Sequence, residues 1–74
     1  MNLQDAFLNK VRREKLSITI FLLSGYELRG FVKGFDNYTI ILERGGEEQL
    51  IYKHAISTLK TTDPMNLLEE EIND

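Results

Sequence analysis

Lys53 and His54 stand side by side between two short apolar-rich stretches, 49–52 and 56–59. An ammonium beside an imidazole can hold a phosphate and exchange hydrogen bonds with it, although the same pair also serves in ordinary loops. A second basic group, Arg12, Arg13 and Lys15, closes a segment of helical periodicity. It reads either as a solvated helix end that complements the dipole or as a contact for phosphates. Tyr38 follows an Asp36-Asn37 turn, where its ring either stacks on an unpaired base or fills a core or interface position. Catalysis is poorly provided for. The segment 25–30 has the glycine spacing of a phosphate-binding loop, yet Phe31-Val32 follows where lysine and Ser/Thr are needed. Ser57 is near His54, but no acid beside them completes a triad. With no cysteine and one histidine, the chain has no thiolate or multi-histidine metal site of its own, and no metal or cofactor is expected.

These residues belong to a chain of 74 residues, enough for one small domain. Apolar residues at 42% and charged residues at 28% exclude disordered and collagen-like classes. The longest apolar-rich run, 18–23, includes Thr19 and falls far short of the ~20 residues of a membrane span. Residues 1–11 are too polar for a signal-peptide core, so a cytoplasmic protein with no membrane association is expected, and the sequon at Asn37-Tyr38-Thr39 is discarded. Net charge is −3, but it is segregated: 1–15 carry +2, 16–60 balance, and 61–74 carry −5. That layout suits an anion-binding body with an acidic appendage, or simply two solvated faces. A core this small contributes only about 3–5 kcal/mol, so oligomerisation is expected as well.

Leu3, Phe7, Leu8 and Val11 recur at helical spacing, and Asn2 followed by Asp5 resembles a capping box. The pattern predicts a helix over 3–14. From Leu16 the period becomes two, which predicts strands over 17–21, 26–35, 38–43, 49–52 and 56–59. Ser24-Gly25, Asp36-Asn37 and Gly45-Gly46 mark the turns, and Gly30 and Gly34 are expected to bend the long second strand. A two-residue Ser24-Gly25 turn would put Leu23 opposite Tyr26 and Phe21 opposite Leu28, all on one side. Residues 61–74 read as a loose acidic tail behind a domain over 1–60.

One helix and five short bent antiparallel strands describe a small, strongly curved open barrel of the SH3 or OB type. Such a barrel keeps free edges at its last strands, and edge-to-edge pairing between copies closes into a ring when the rotation allows.

The segment Tyr52-Lys53-His54-Ala55-Ile56-Ser57 is similar to the signature of the Hfq family, the bacterial Sm-like RNA chaperones. Gln4-Asp5-Ala6-Phe7-Leu8-Asn9 with Arg12-Arg13-Glu14-Lys15 resembles the family's N-terminal helix. Gly30 and Phe35-Asp36-Asn37-Tyr38 resemble its bent second strand and the turn after it, so the likeness spans 3–58. Segments 21–23, 28–30 and 32–37 are similar to the Gram-positive form in particular. The resemblance implies an Sm-like fold, one helix on a five-stranded bent antiparallel sheet, assembled as a homohexameric ring. It implies binding of single-stranded RNA, U-rich around the pore on the proximal face and A-rich on the distal face. It also implies pairing of small regulatory RNAs with messenger RNAs in post-transcriptional and stress regulation, with no enzymatic step.

Carried over residue by residue, the resemblance implies a proximal site of Gln4, Asn37, Tyr38, Tyr52, Lys53 and His54, with six lysines attracting phosphate around the pore. Tyr38 stands where the family usually has phenylalanine, and Asn37 where many members have glutamine. A distal site is implied at Phe21, Ser24, Gly25, Tyr26 and Leu28, with Arg29 and Gln49 supplying polar base contacts. Glu27 stands where some members carry lysine, which would weaken phosphate attraction there. A rim patch is implied at Asn9, Arg12, Arg13 and Lys15, with lysine in place of the third arginine. The competing class is an SH3-like barrel that assembles proteins or binds peptides. A monomer without salt-sensitive RNA binding would favour it.

Overall fold

The computed structural model describes residues 2–62, so nearly all of the acidic tail expected over 61–74 lies outside the described residues. Helix α1 spans Leu3–Arg13, and the Asn2 side chain accepts a hydrogen bond from the Asp5 N–H at 2.8 Å. Only that half of the capping box forms, because the Asp5 carboxylate is engaged elsewhere. The buried side of α1 is Ala6, Leu8 and Val11, with Phe7 partly buried, whereas Leu3, expected on the apolar face, is exposed. Past the helix, Lys15 N–H bonds to the Arg12 carbonyl and Leu16 N–H to the Val11 carbonyl, with Lys15 at φ 56°. This is the Schellman closure, made with lysine at the left-handed position where glycine is usual.

Five strands follow: β1 Ser17–Leu22, β2 Glu27–Phe35, β3 Thr39–Arg44, β4 Glu47–Tyr52 and β5 Ile56–Thr61. They form one antiparallel sheet in the order β4-β3-β2-β1-β5. A single 3-10 turn, Lys53–Ala55, carries the chain from one end of that order to the other. Thr61, which the sequence reading assigned to the tail, still pairs with Ile18. β4 begins two residues earlier than expected, and β5 ends two later.

The core gathers Leu8, Val11, Ile18, Ile20, Val32, Ile40, Leu42 and Ile51. Alternation within β1 and β3 sends Ile18, Ile20, Ile40 and Leu42 to the buried side. The sheet curls where its regularity fails. In β2 the register against β3 slips between Val32 and Gly34, leaving Lys33 as an extra residue, a β-bulge. At Gly30 a Cβ would stand 2.5 Å from the Glu43 carbonyl oxygen, so only glycine permits that approach of β2 to β3. Both features lie where bending was expected. β4 and β5 do not pair with each other, so the sheet stays open with an unpaired edge on each.

The hairpin between β1 and β2 departs from expectation. Leu22 N–H bonds to the Tyr26 carbonyl at 2.8 Å and Gly25 N–H to the Leu22 carbonyl at 2.9 Å, with Gly25 at φ 94°. The loop therefore has three residues, a turn closed by a left-handed glycine, not two. That one residue shifts the register: Phe21 opposes Glu27, and Leu28 opposes Ile20. Phe21 and Leu28 are not a cross-strand pair, and Leu28 packs against the core.

Candidate nucleic-acid interface

The turn at Lys53–Ala55 is built against two other elements. Its first residue donates its backbone N–H to the Tyr38 carbonyl at 2.8 Å, which stitches it to the β2–β3 turn. That turn is organised by Asp36. One carboxylate oxygen accepts the N–H of Tyr38 at 2.8 Å, the N–H of Thr39 at 2.7 Å and the Thr39 hydroxyl at 2.8 Å. The bond from the Tyr38 amide, then those from Thr39, hold the Asp36 carboxyl below the usual aspartate range. With its backbone tied at both ends, Tyr38 extends its ring outward, 74% exposed. Asn37 is exposed in the same turn.

Lys53, expected to attract phosphate around a pore, is paired within its own chain. Its Nζ lies 3.1 Å from Asp5 Oδ1 of α1 and 5.4 Å from the Phe35 ring centre, and its side chain is only 11% exposed. The carboxylate offsets part of its attraction for phosphate. What remains is an ammonium in a fixed direction with donors to spare. Tyr52 and His54 bring their rings to 5.7 Å, tilted by 34°, and both are exposed. The structure thus brings Tyr38, Tyr52, Lys53 and His54 together and adds Asp5, Phe35 and Asp36 to them. Asp5 and Asp36 were visible in the sequence only as helix-start and turn residues. Gln4 is placed apart, in a depression of about 300 Å³ formed with Leu3, Phe7 and β5 residues 56–59.

On the hairpin side, Tyr26, Leu28, Arg29 and Gln49 line a shared depression of about 210 Å³. Arg44 and Glu47, on either side of the Gly45-Gly46 turn, complete it together with Glu27. Phe21, Ser24 and Gly25 are not part of this lining. The Ser24 hydroxyl accepts the Tyr26 N–H at 3.4 Å, so its part is in shaping the turn. Arg29 bonds to Glu27 Oε1 at 3.1 and 3.3 Å, and that carboxylate therefore neutralises the nearest guanidinium.

The helix end carries the third group. Asn9 Oδ1 accepts from Arg12 at 2.6 Å, which orients the guanidinium. Arg13 lies 3.9 Å from Glu14, and Lys10 pairs with the same carboxylate at 2.9 Å. The Lys10 bond is the main reason that the Glu14 carboxyl sits below its usual range. Lys15 is exposed at its left-handed position.

Among the described residues, Ser57 and the glycines at 25 and 30 take structural places. The Ser57 hydroxyl donates to the Phe21 carbonyl at 3.1 Å. The glycine pair at 25 and 30 sits in a hairpin and a strand, without the helix N-terminus that a phosphate loop uses. Among the described residues no group of three or more His, Cys, Asp or Glu could hold a metal ion. No helix among them is long and apolar enough to cross a membrane.

The model of the Hfq protein family matches residues 3–66. The RNA-binding protein Hfq of Alkaliphilus metalliredigens is 59% identical over 69 residues, covering 93% of this chain and 86% of its own length. That of Carboxydothermus hydrogenoformans is 61% identical over 66 residues, covering 89% and 78% respectively. Among solved structures, a crystal structure of Hfq described as a pleiotropic translational regulator superposes with a TM-score of 0.78. It is 37% identical and covers 81% of this chain and all of its own. An Hfq from Anabaena sp. superposes at 0.73 with 20% identity, covering 80% of this chain and 95% of its own, a likeness of fold alone.

Proposed function

Since this chain belongs to the Hfq family, with one N-terminal helix on an open five-stranded Sm-like sheet, we propose that it is an RNA-binding chaperone. It binds U-rich and A-rich single strands on opposite faces of a homohexameric ring and promotes pairing of small regulatory RNAs with messenger RNAs. The role is one of binding and annealing in the cytoplasm, without a catalysed step.

One observation carries this reading. The Lys53–Ala55 turn connects the two unpaired edges, β4 and β5, and is bonded to the turn that presents Tyr38. Copies joined β4 to β5 repeat that cluster around one axis. Gln4 belongs to the β5-side depression, so in such a ring it approaches the Tyr38 and Lys53 group of a neighbour. An exposed phenol ring supplies stacking worth about 1–3 kcal/mol per base. The spare donors of the oriented Lys53 ammonium suit the carbonyl oxygens of uracil. On the hairpin side, Glu27, Glu47 and Gln49 supply acceptors for the exocyclic amine of adenine beside the Tyr26 ring.

Titration with labelled U-rich and A-rich oligomers, separately and together, tests the reading. Both should bind, with affinity falling as salt rises because phosphate contacts release counterions, and neither should displace the other. Competition between them would refute two faces. A monomer by light scattering that binds neither would leave only a peptide-binding or scaffolding barrel.

A further inference from the structure

The two unpaired edges of the sheet carry opposite charges that the isolated chain leaves unmatched. On β4, Glu47 stands opposite Arg44 of β3, but Glu48 stands opposite Glu43. Like charges directly opposed across two strands are destabilising. The Glu43 carboxylate accepts only a neutral donor, the Gly46 N–H at 3.3 Å. Among the described residues the exposed Glu48 enters no ion pair. On β5, at the other edge, Lys60 is exposed opposite the neutral Thr19 and likewise enters no ion pair among those residues.

Three constraints fix how these edges meet when copies join β4 to β5. First, β4 runs into the Lys53–Ala55 turn and β5 runs out of it, so adjacent edges are antiparallel. Second, residues that pair across two strands share a face. Ile51 is buried, which turns Glu48, Leu50 and Tyr52 to the outer face. Leu59 and Thr61 oppose the buried Ile20 and Ile18, which turns Thr58 and Lys60 to that same face. Glu48 can therefore meet Thr58 or Lys60, and never Leu59 or Thr61. Third, rotation about one axis sets every turn at the same radius. Tyr52 of one copy then meets Ile56 of the next, and counting outward in step brings Leu50 to Thr58 and Glu48 to Lys60.

We propose that Glu48 forms an ion pair with Lys60 of the neighbouring copy, once at every joint on the side away from the axis, and that this pair selects the register in which copies meet. The incoming ammonium relieves the Glu43–Glu48 repulsion that a lone chain retains. One exposed ion pair is weak, but a closed ring repeats it at each joint. A slip of two residues keeps the faces matched, yet it sets Glu48 against Thr58 and strands both charges. The same slip shifts the Gln4 depression by about 7 Å along the Tyr38 and Lys53 group of its neighbour, so the register governs whether that shared site forms. The pair presupposes the ring proposed above and specifies how its copies join.

The test is charge exchange in the full-length protein, read by analytical ultracentrifugation over a dilution series. Glu48→Lys and Lys60→Glu, each alone, should raise the protomer concentration at which rings half-dissociate by about tenfold, and less so as salt rises. The double variant, with the charges exchanged, should return to within about twofold of wild type. The chain has no cysteine, which allows a second reading that does not depend on charge. Mild oxidation of a variant carrying Glu48→Cys and Lys60→Cys should give a ladder of covalent oligomers on a non-reducing gel, whereas Glu48→Cys with Thr58→Cys should give none. A double charge variant no tighter than the single ones overturns the pair, as does a ladder from 48 and 58 in place of one from 48 and 60. Either result with wild-type rings that still bind both RNAs leaves the ring reading intact. Wild-type protein that stays monomeric overturns both.

Discussion

Lys53 Nζ and Asp5 Oδ1 lie 3.1 Å apart across 48 residues of chain, and the pair ties the turn between β4 and β5 to the first turn of α1. Both groups are largely withdrawn from water, at 11% and 27% side-chain exposure. An ammonium so placed needs its partner, because removing one member leaves the other desolvated and unpaired. The pair therefore links the integrity of the helix–sheet junction to the direction of the functional lysine.

Asp5→Ala should destabilise the protein by about 1–3 kcal/mol in urea unfolding, the cost typical of a lost charged hydrogen bond at a partly buried site. In a Lys53→Met background the same substitution should cost much less, since no ammonium is then stranded. Equal costs in both backgrounds would show that the two groups do not interact energetically.

Lys53→Ala should weaken U-rich RNA more than A-rich RNA, because the hairpin-side depression that includes Tyr26 and Gln49 does not contain Lys53. Anisotropy titrations with the two oligomers read this directly. Equal losses on both would contradict the two-face arrangement.

Tyr38→Ala should cost U-rich binding about 1–3 kcal/mol through lost stacking, with assembly unchanged in light scattering. The ring is 74% exposed and only its backbone is engaged. Dissociation into monomers would instead make the ring a contact between copies.

Asp36 gives the β2–β3 turn an acid sensitivity. Its folded-state pKa is depressed, first by the Tyr38 amide and then by Thr39. The stability it contributes is thus complete above the ordinary aspartate range and disappears as the pH falls through the depressed value. Asp36→Asn should flatten that acid limb in unfolding measurements from neutral pH downward. Glu14, held low chiefly by Lys10, supplies a residual slope in both proteins. An unchanged acid limb would remove Asp36 as its source.

Gly30→Ala should destabilise the fold by about 1–3 kcal/mol, since its Cβ meets the Glu43 carbonyl oxygen at 2.5 Å and the neighbouring atom is backbone. Gly34→Ala serves as a control, because nothing lies within 4 Å of a Cβ there. Thermal unfolding of the two variants side by side separates close approach from general loss of flexibility.

The helix over Leu3–Arg13, the five strands and their turns were legible in the chain itself, because period and turn chemistry are local properties that neighbouring residues impose on one another. Bends at Gly30 and near Gly34 and the Asp36-Asn37 turn were legible for the same reason, whereas the residue types left Tyr38 open between an outward ring and a packed one, and only the structure exposes it. Register was not. Whether the Ser24-Gly25 loop holds two residues or three depends on Gly25 entering the left-handed region, and that single residue moves Phe21 from Leu28 to Glu27. Nor could residue types reveal that Lys53 spends its charge on Asp5, or that Lys15 and Lys33 converge on Phe31. Those meetings are set by how far a bulged sheet curls under its helix, a sum of small dihedral departures that no local stretch of sequence contains.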